Sequence, residues 1–491
     1  MESNRKVQYL AAFSVSLAFL AVGACSAWPT PVLLKFHNNE TSVVISNTEI
    51  SWMLGLNPIG FLIGSFTARF VIDKFGRRYT LLASMVPVVV GTVIAVSVTI
   101  GWMLMMTQFL WSFGTAILCT VQGIYFAEIA DKDIRGTLSL STRYMFNLGN
   151  LLVIGAGPFI SYQTLNLCLL FIPLTFLIAS FWIPETPYYY LKEDKVNEAR
   201  KVLMQLRGIK DEKELDSQLA LIEMNVKEDM TRSSSVKQLF SGAKYRKAIM
   251  IVSGLKITSI FTGTVTIRQY FGRILQEGRI PKEMEGTVFI VFGAVGFLTA
   301  IVASVLVDRL GRRPLLIGSY IVTGVCLAAI GIYFFLQDAV LVDSAAMSPY
   351  GYLPFIGILL VTVSSTIGFN SIVNFMPAEL FPLNVKAIAM SLNGILSGVL
   401  GFAIAKSYQD IKDLCGIYTV FWIFTVFSCA GGVFCYYLVP ETKGKGLAEI
   451  QEMLQSPWLE LRTYDGTAKF NIGDNKDSEE ERASLTEVTK I

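Results

Sequence analysis

Long apolar runs constrain this 491-residue chain more than any other feature. Each is close to the ~20 residues that a helix needs to cross a ~30 Å hydrocarbon core. The first spans about Ala11 to Leu34, and others lie near 51–72, 79–99, 102–127, 138–161 and 165–183. After a polar stretch at 184–247, six more lie near 248–275, 287–307, 314–337, 351–377, 384–407 and 415–439. The pattern predicts twelve transmembrane helices, six on each side of the polar stretch. The first run is too long for a signal-peptide core and lacks a clear cleavage site, so it reads as an uncleaved membrane helix.

A short basic turn, Asp73-Lys74-Phe75-Gly76-Arg77-Arg78, returns as Asp308-Arg309-Leu310-Gly311-Arg312-Arg313. Ala127-Glu128, with Arg135 seven residues past the Glu, is echoed by Ala378-Glu379 and Lys386. Pro184-Glu185-Thr186 is echoed by Pro440-Glu441-Thr442. The three offsets are 235, 251 and 256 residues, in one order, so the chain consists of two related halves. Repetition of this kind on a membrane background marks a transporter built from repeats.

Composition excludes other classes. Hydrophobic residues make up 53% and charged residues 16%, against ~25% charged in soluble proteins. No basic face on a soluble domain offers itself to nucleic acid. The single histidine, His37, sits in a polar loop, and seven scattered cysteines lack any CxxC spacing. Metal binding, disulfides and cofactors are therefore not expected, and no acid–base or nucleophile cluster suggests an enzyme. No obligate protein partner is evident; the surroundings are the lipid bilayer.

Charge asymmetry sets an expected orientation. Lys74, Arg77, Arg78, Lys132, Arg135, Arg309, Arg312, Arg313 and Lys386 fall in alternate loops, whereas the opposite loops, such as 338–350, are nearly free of Lys and Arg. The positive-inside rule places both termini in the cytoplasm. Asn39-Glu40-Thr41, a glycosylation sequon, then lies outside, as a sequon requires. In the 184–247 insertion, Val196–Arg207 and Glu212–Met224 carry apolar residues at helical spacing and predict short amphipathic helices under the membrane. The acidic run at 474–481 predicts a disordered distal tail.

Basic residues near helix ends are common topology anchors, but Asp73, Glu128, Asp308 and Glu379 stand beside Arg77, Arg78, Arg135, Arg312, Arg313 and Lys386. Acids contribute little to orientation. Pairing between these groups would bridge helices at the cytoplasmic edge and act as a gate.

At these residues the chain resembles the sugar porter branch of the major facilitator superfamily. DKFGRR and DRLGRR match the D-R-x-G-R-R loops, PETPYYYL resembles P-E-S-P-R-x-L, PAELFP resembles P-x-x-x-E-x-F-P, and VPETKGKGL resembles P-E-T-K-G. The resemblance runs from about residue 10 to 450. It implies an all-α membrane protein with twelve transmembrane helices in two six-helix bundles, at 1–183 and 248–439. The linker is 184–247 and the cytoplasmic tail 440–491. It further implies a plasma-membrane carrier that moves a hexose or trehalose-like sugar by alternating access.

Where the family's sugar-contact motifs should fall, this chain differs. The helix-five Gln position holds Arg143. The helix-seven Q-Q-x-S-G-x-N pattern reads Ser259-Ile260-Phe261-Thr262-Gly263-Thr264-Val265, with Tyr270 retained beyond it. The Trp position before the helix-ten Glu holds Asn374, and the helix-eleven Asn-Trp pair is Ser397-Gly398. Candidate substrate ligands are Arg143, Asn147, Ser259, Thr262, Asn370 and Asn374, with Asn150 and Thr366 as further polar groups and Tyr270 as a platform. For the hydroxyl and amide side chains the competing role is helix–helix hydrogen bonding. Helix one carries no Asp, Glu or His, which predicts uniport without proton coupling. Arg143 and Lys256 each stand roughly 12 Å inside their helices' cytoplasmic ends, with no acid at that depth. This pair keeps open an alternative, carriage of an organic anion; a non-transporting sugar sensor is another.

Overall fold

The structure is a computed structural model describing residues 5–131, 133–208, 212–231, 243–278, 281–340, 350–381, 383–445 and 447–455. Among the described residues every regular element is a helix. Lipid offers the backbone no hydrogen-bond partner, so membrane-spanning chain must satisfy its N–H and C=O groups internally.

The first half contains α1 (Lys6–Ala27), α2 (Pro29–His37), α3 (Asn47–Phe75), α4 (Arg77–Ser97), α5 (Gly101–Ile129), α6 (Arg135–Ala156) and α7 (Tyr162–Ala179). The insertion supplies α8 (Pro187–Lys192), α9 (Val196–Arg207) and α10 (Glu212–Thr231). The second half contains α11 (Ala243–Phe261), α12 (Thr264–Gln269), α13 (Phe271–Glu277), α14 (Lys282–Leu310), α15 (Arg312–Asp338), α16 (Leu353–Ile367), α17 (Phe369–Leu380), α18 (Leu383–Cys415) and α19 (Ile417–Leu438). A short α20 (Leu447–Met453) follows.

Three of the expected spans are interrupted. The first breaks at Trp28, where Pro29 and Pro31 begin a new helix. The seventh breaks at Gly263, and the tenth at Gly368. Counting each interrupted pair once, eleven spans among the described residues are long and apolar enough to cross a membrane. The remaining long helix of the two halves is α6, which carries Arg143, Asn147 and Asn150 along its length. Its polarity belongs to the seam between the halves, and its length still suffices to cross.

The duplicated basic turn has one local cause in both halves. Gly76 (φ +85°) joins α3 to α4, and Gly311 (φ +91°) joins α14 to α15. L side chains rarely adopt such φ values. A Cβ at Gly76 would also lie 2.4 Å from Glu185 Oε2, and one at Gly311 would lie 2.9 Å from Glu441 Oε2.

Within the halves, α1 packs on α6, α3 and α4 on α5, and α15 on α16 and α19. Between the halves, α3 packs along α18 and α6 along α14. Outer faces remain apolar and exposed, with Phe171, Ile178, Val325 and Val426 among them, as a lipid-facing surface requires. The insertion helices share a small core of Leu191, Ala199, Leu203, Leu215, Leu219 and Val226. Gln8 of α1 donates to Leu206 O at 2.9 Å, and Arg207 pairs with Asp131 at 3.6 Å, so the insertion is held to the first half. The helix predicted over 212–224 extends to Thr231. The acidic tail lies outside the described residues.

Candidate functional site

The gate candidates form two matching clasps. In the first half, Arg77 reaches Glu128 at 2.7 Å, while the backbone N–H groups of Arg77 and Arg78 each donate to Glu185 at 3.0 Å. In the second half, Arg312 reaches Glu379 at 3.1 Å, and the N–H groups of Arg312 and Arg313 each donate to Glu441 at 3.0 Å. A carboxylate thus sits at the positive N-terminus of α4 and of α15. Glu185 and Glu441 complete the clasps, and charge pairing alone misses them. Their signal in the sequence is the third repeated motif, Pro-Glu-Thr.

The clasps are not equally buried. Side-chain exposure is 5% for Arg77 and 10% for Glu128, against 15% and 25% for Arg312 and Glu379. Asp73 accepts from Lys192 of α8 at 2.7 Å, and Arg135 donates to Ala127 O at 2.7 Å. Arg313 donates to Tyr436 O at 2.6 Å, and Arg78 joins the clasp through its backbone. Each of these contacts joins elements of one half or ties a half to the segment that follows it, so the charges hold helices together within a bundle and its flanking chain. The side chains of Asp308 and Lys386 lie outside the described part of the structure. Burial pushes the Glu185 carboxyl above its ordinary range, against the opposing pull of the Thr186, Arg78 and Arg77 N–H donors and the Arg77 charge.

The halves meet through polar contacts that cluster toward the end carrying Asn39. There Thr30 donates to Arg268 O at 3.0 Å, Arg273 to Asn47 at 2.6 Å and Gln276 to Asn38 at 2.7 Å. Helix α2 lies against α13, and Gly272 lets the two backbones approach. Beside this seam a cavity of about 360 Å³ is lined by Lys35, Glu40, Glu283 and Glu285 among others. Asn39 itself is exposed.

Deeper in the seam, Arg143 of α6 donates to Ser371 Oγ of α17 at 3.2 Å. A side chain that reaches a helix of the other half points into the seam and away from lipid. One turn along α17, Asn374 Oδ1 accepts from Lys256 of α11 at 3.2 Å. Asn370, on the same stretch, donates to Thr264 at 3.3 Å. The structure therefore brings Arg143, Asn370 and Asn374 together, and adds Lys256, Ser371 and Thr264. Two like charges brought this close together in the seam repel each other. Among the described residues, neither has a carboxylate partner.

Other candidates are occupied elsewhere. Asn147 spends its amide on Arg143 O at 2.8 Å, and Asn150 on Phe146 O at 2.9 Å. Thr366 takes part through its carbonyl, which accepts from Ser371 Oγ at 2.6 Å. Thr262 is fully buried, and its hydroxyl donates to Ser259 O at 2.6 Å. Ser259 is buried as well. Tyr270 is fully buried and stacked on Tyr408 with ring centroids 4.2 Å apart, so it presents no open platform in this conformation. The cause is the break at Gly263, which turns the chain after Phe261 into the packed interior of the second half.

The chain matches the family described as Sugar (and other) transporter over residues 10–454. It is 31% identical over 461 residues to the facilitated trehalose transporter Tret1 of Bombyx mori, covering 91% of this chain and 87% of that one. The Tret1 of Apis mellifera ligustica is 29% identical over 455 residues, covering 92% and 89%. Among solved structures, the inward-open xylose transporter XylE from E. coli superimposes with a TM-score of 0.72 at 18% identity, covering 90% of this chain and 99% of that one. The helical architecture is accordingly that of the major facilitator superfamily. A match across nearly the whole chain, with the duplicated clasps in place, makes this multi-pass membrane protein a member of the sugar (and other) transporter family.

Proposed function

We propose that the protein carries a sugar across the plasma membrane by alternating access, as a uniporter, with both termini and the insertion helices in the cytoplasm. The observation that carries this reading is Arg143 meeting Ser371 at mid-depth between two halves that are each internally clasped. Such halves move as rigid bodies around a central site, which is how repeat-built transporters alternate. The similarity to facilitated trehalose transporters supports a disaccharide or hexose as the solute.

The clasps have a definite part in this cycle. By keeping each bundle rigid at its cytoplasmic end, Arg77–Glu128 and Arg312–Glu379 turn a small rotation at the site into opening or closing of the mouth. Asp73, Arg78, Arg135, Arg313, Asp308 and Lys386 belong to the same edge. Uptake of labelled trehalose and glucose into liposomes containing the purified protein tests the reading. Saturable uptake, lost on Arg143→Gln or on locking α2 to α13 by a cysteine cross-link, is expected. Absence of uptake for both sugars and for charged solutes would overturn it.

A further inference from the structure

Resting on the carrier reading above, we propose that the transported solute bears an anionic group, a carboxylate or a phosphate, bound between Arg143 and Lys256. The two cations come from opposite halves, Arg143 from α6 and Lys256 from α11. They converge on one face of α17 because their acceptors, Ser371 and Asn374, stand one helical turn apart. Neither cation is matched by a carboxylate among the described residues, and the acids of the clasps lie at the helix ends. Ser371 and Asn374 are neutral acceptors, so both positive charges stand uncompensated.

A site for a neutral sugar has no use for two uncompensated cations at mid-membrane, where each charge is costly. An anionic oxygen pair on the solute supplies what the protein lacks. The guanidinium offers a two-pronged donor and the ammonium a point charge, a combination suited to carboxylate or phosphate. Neutral hydroxyls of the same solute would face Asn370, Ser371, Asn374 and Thr264. Because the cations sit on different halves, an anion held by both exchanges the Arg143–Ser371 contact for a bridge that draws the halves together. Binding and closure of the site are then one event, driven by the solute's differential affinity for the closed form.

The test compares glucose, trehalose, glucuronate and glucose 6-phosphate as ligands of the purified full chain, read by thermal shift, and as competitors of labelled uptake into liposomes. In the unmodified protein glucuronate or glucose 6-phosphate should outcompete glucose by about tenfold or more, the scale of one charge-assisted contact. Arg143→Gln and Lys256→Gln should each collapse that ratio toward one. Arg143→Lys, which keeps the charge, should retain part of it and serves as the folding control. Equal competition by neutral and anionic probes in the unmodified protein overturns the proposal, and needs no variant. So does an anionic preference that survives both neutralisations. Uptake of trehalose with no anionic advantage removes the anion and leaves the carrier. Anion-dependent thermal shifts without uptake of any probe remove the carrier and leave the site.

Discussion

Glu185 accepts the backbone N–H of Arg77 at 3.0 Å, so the carboxylate that ends one membrane helix's follow-on segment fixes the start of another 108 residues earlier in the chain. Glu441 stands in the same relation to Arg312 at 3.0 Å. The duplicated glycine, arginine and glutamate are therefore parts of one device. Glycine clears room for the carboxylate, the helix start supplies donors, and the arginine side chain turns aside to its acid on the next helix.

Removing Glu185 is expected to leave the N–H groups of Arg77, Arg78 and Thr186 without their acceptor, at a cost of ~1–3 kcal/mol for each buried donor left unsatisfied. Burial raises the Glu185 carboxyl above its ordinary value. A raised carboxyl binds its proton more tightly in the folded chain than in the unfolded one. Its contribution is thus complete below the ordinary carboxylate range and is lost as pH rises through the raised value. Thermal stability of Glu185→Gln in detergent should lack that part of the slope. An unchanged pH profile would show that this carboxyl does not titrate with folding.

The difference in burial between the clasps gives an asymmetry. Arg77→Gln leaves Glu128 as an unpaired, nearly buried charge, and breaking such a pair costs ~3–5 kcal/mol. Arg312→Gln strands a more exposed Glu379, so water screens part of the loss and the cost should fall nearer ~1–3 kcal/mol. Pairing each with its partner's neutralisation, Glu128→Gln or Glu379→Gln, should recover stability in both halves. Equal losses for the two arginines would mean that burial does not set the cost.

The helices and the duplication were legible because lipid thickness dictates run length and because both basic turns repeat in order. The partners of the charges were less so. Glu185 and Glu441 belong to a visible repeat, yet only folding brings each beside a helix start that is distant in sequence. The cavity residues were hardest to read. In a soluble helix the polar stripe faces water, whereas here one apolar face meets lipid and another meets protein, so a polar residue does not reveal its direction. Arg143 was an exception, since a charge at that depth has no tolerable place facing lipid. Tyr270 and Thr262 are buried in this conformation, Tyr270 against Tyr408 and Thr262 against its own helix, which polarity and spacing alone do not reveal.

That break yields a separate expectation. Gly263 has φ +66°, and an added Cβ would fall 2.2 Å from the Phe424 ring. Gly263→Ala therefore adds backbone strain of ~1–3 kcal/mol to a steric clash with a fully packed ring. Uptake and thermal stability should both fall, and Phe424→Ala in the same chain should relieve the clash while leaving the strain. Full recovery in the double variant would mean that the left-handed conformation at Gly263 contributes nothing.

Asn39 reports topology. Its side chain is exposed at the end of the molecule opposite the basic clasps. Expressed in a secretory host, the protein should run faster on a gel after treatment with a glycosidase that removes N-linked glycans, and Asn39→Gln should abolish the shift. A tag at either terminus should be reachable only after permeabilisation. A terminal tag stained on intact cells would invert the orientation.

The absence of a carboxylate or histidine from Lys6 to Phe36 bears on energetics. Moving a proton with the solute needs a mid-membrane group that gains and loses one as the site alternates. Helices α1 and α2 offer none before His37, which lies at the end carrying Asn39. The basic groups in the seam, Arg143 and Lys256, face the neutral acceptors Ser371 and Asn374. Uptake should therefore move no protons. In liposomes loaded with a pH-sensitive dye, entry of trehalose or glucuronate should leave internal pH unchanged. Because an anion carried alone moves its charge, a potassium diffusion potential, positive inside, should accelerate glucuronate entry and leave trehalose entry unaffected. Solute-driven change of internal pH, or collapse of trehalose uptake on adding a proton uncoupler, would refute uniport.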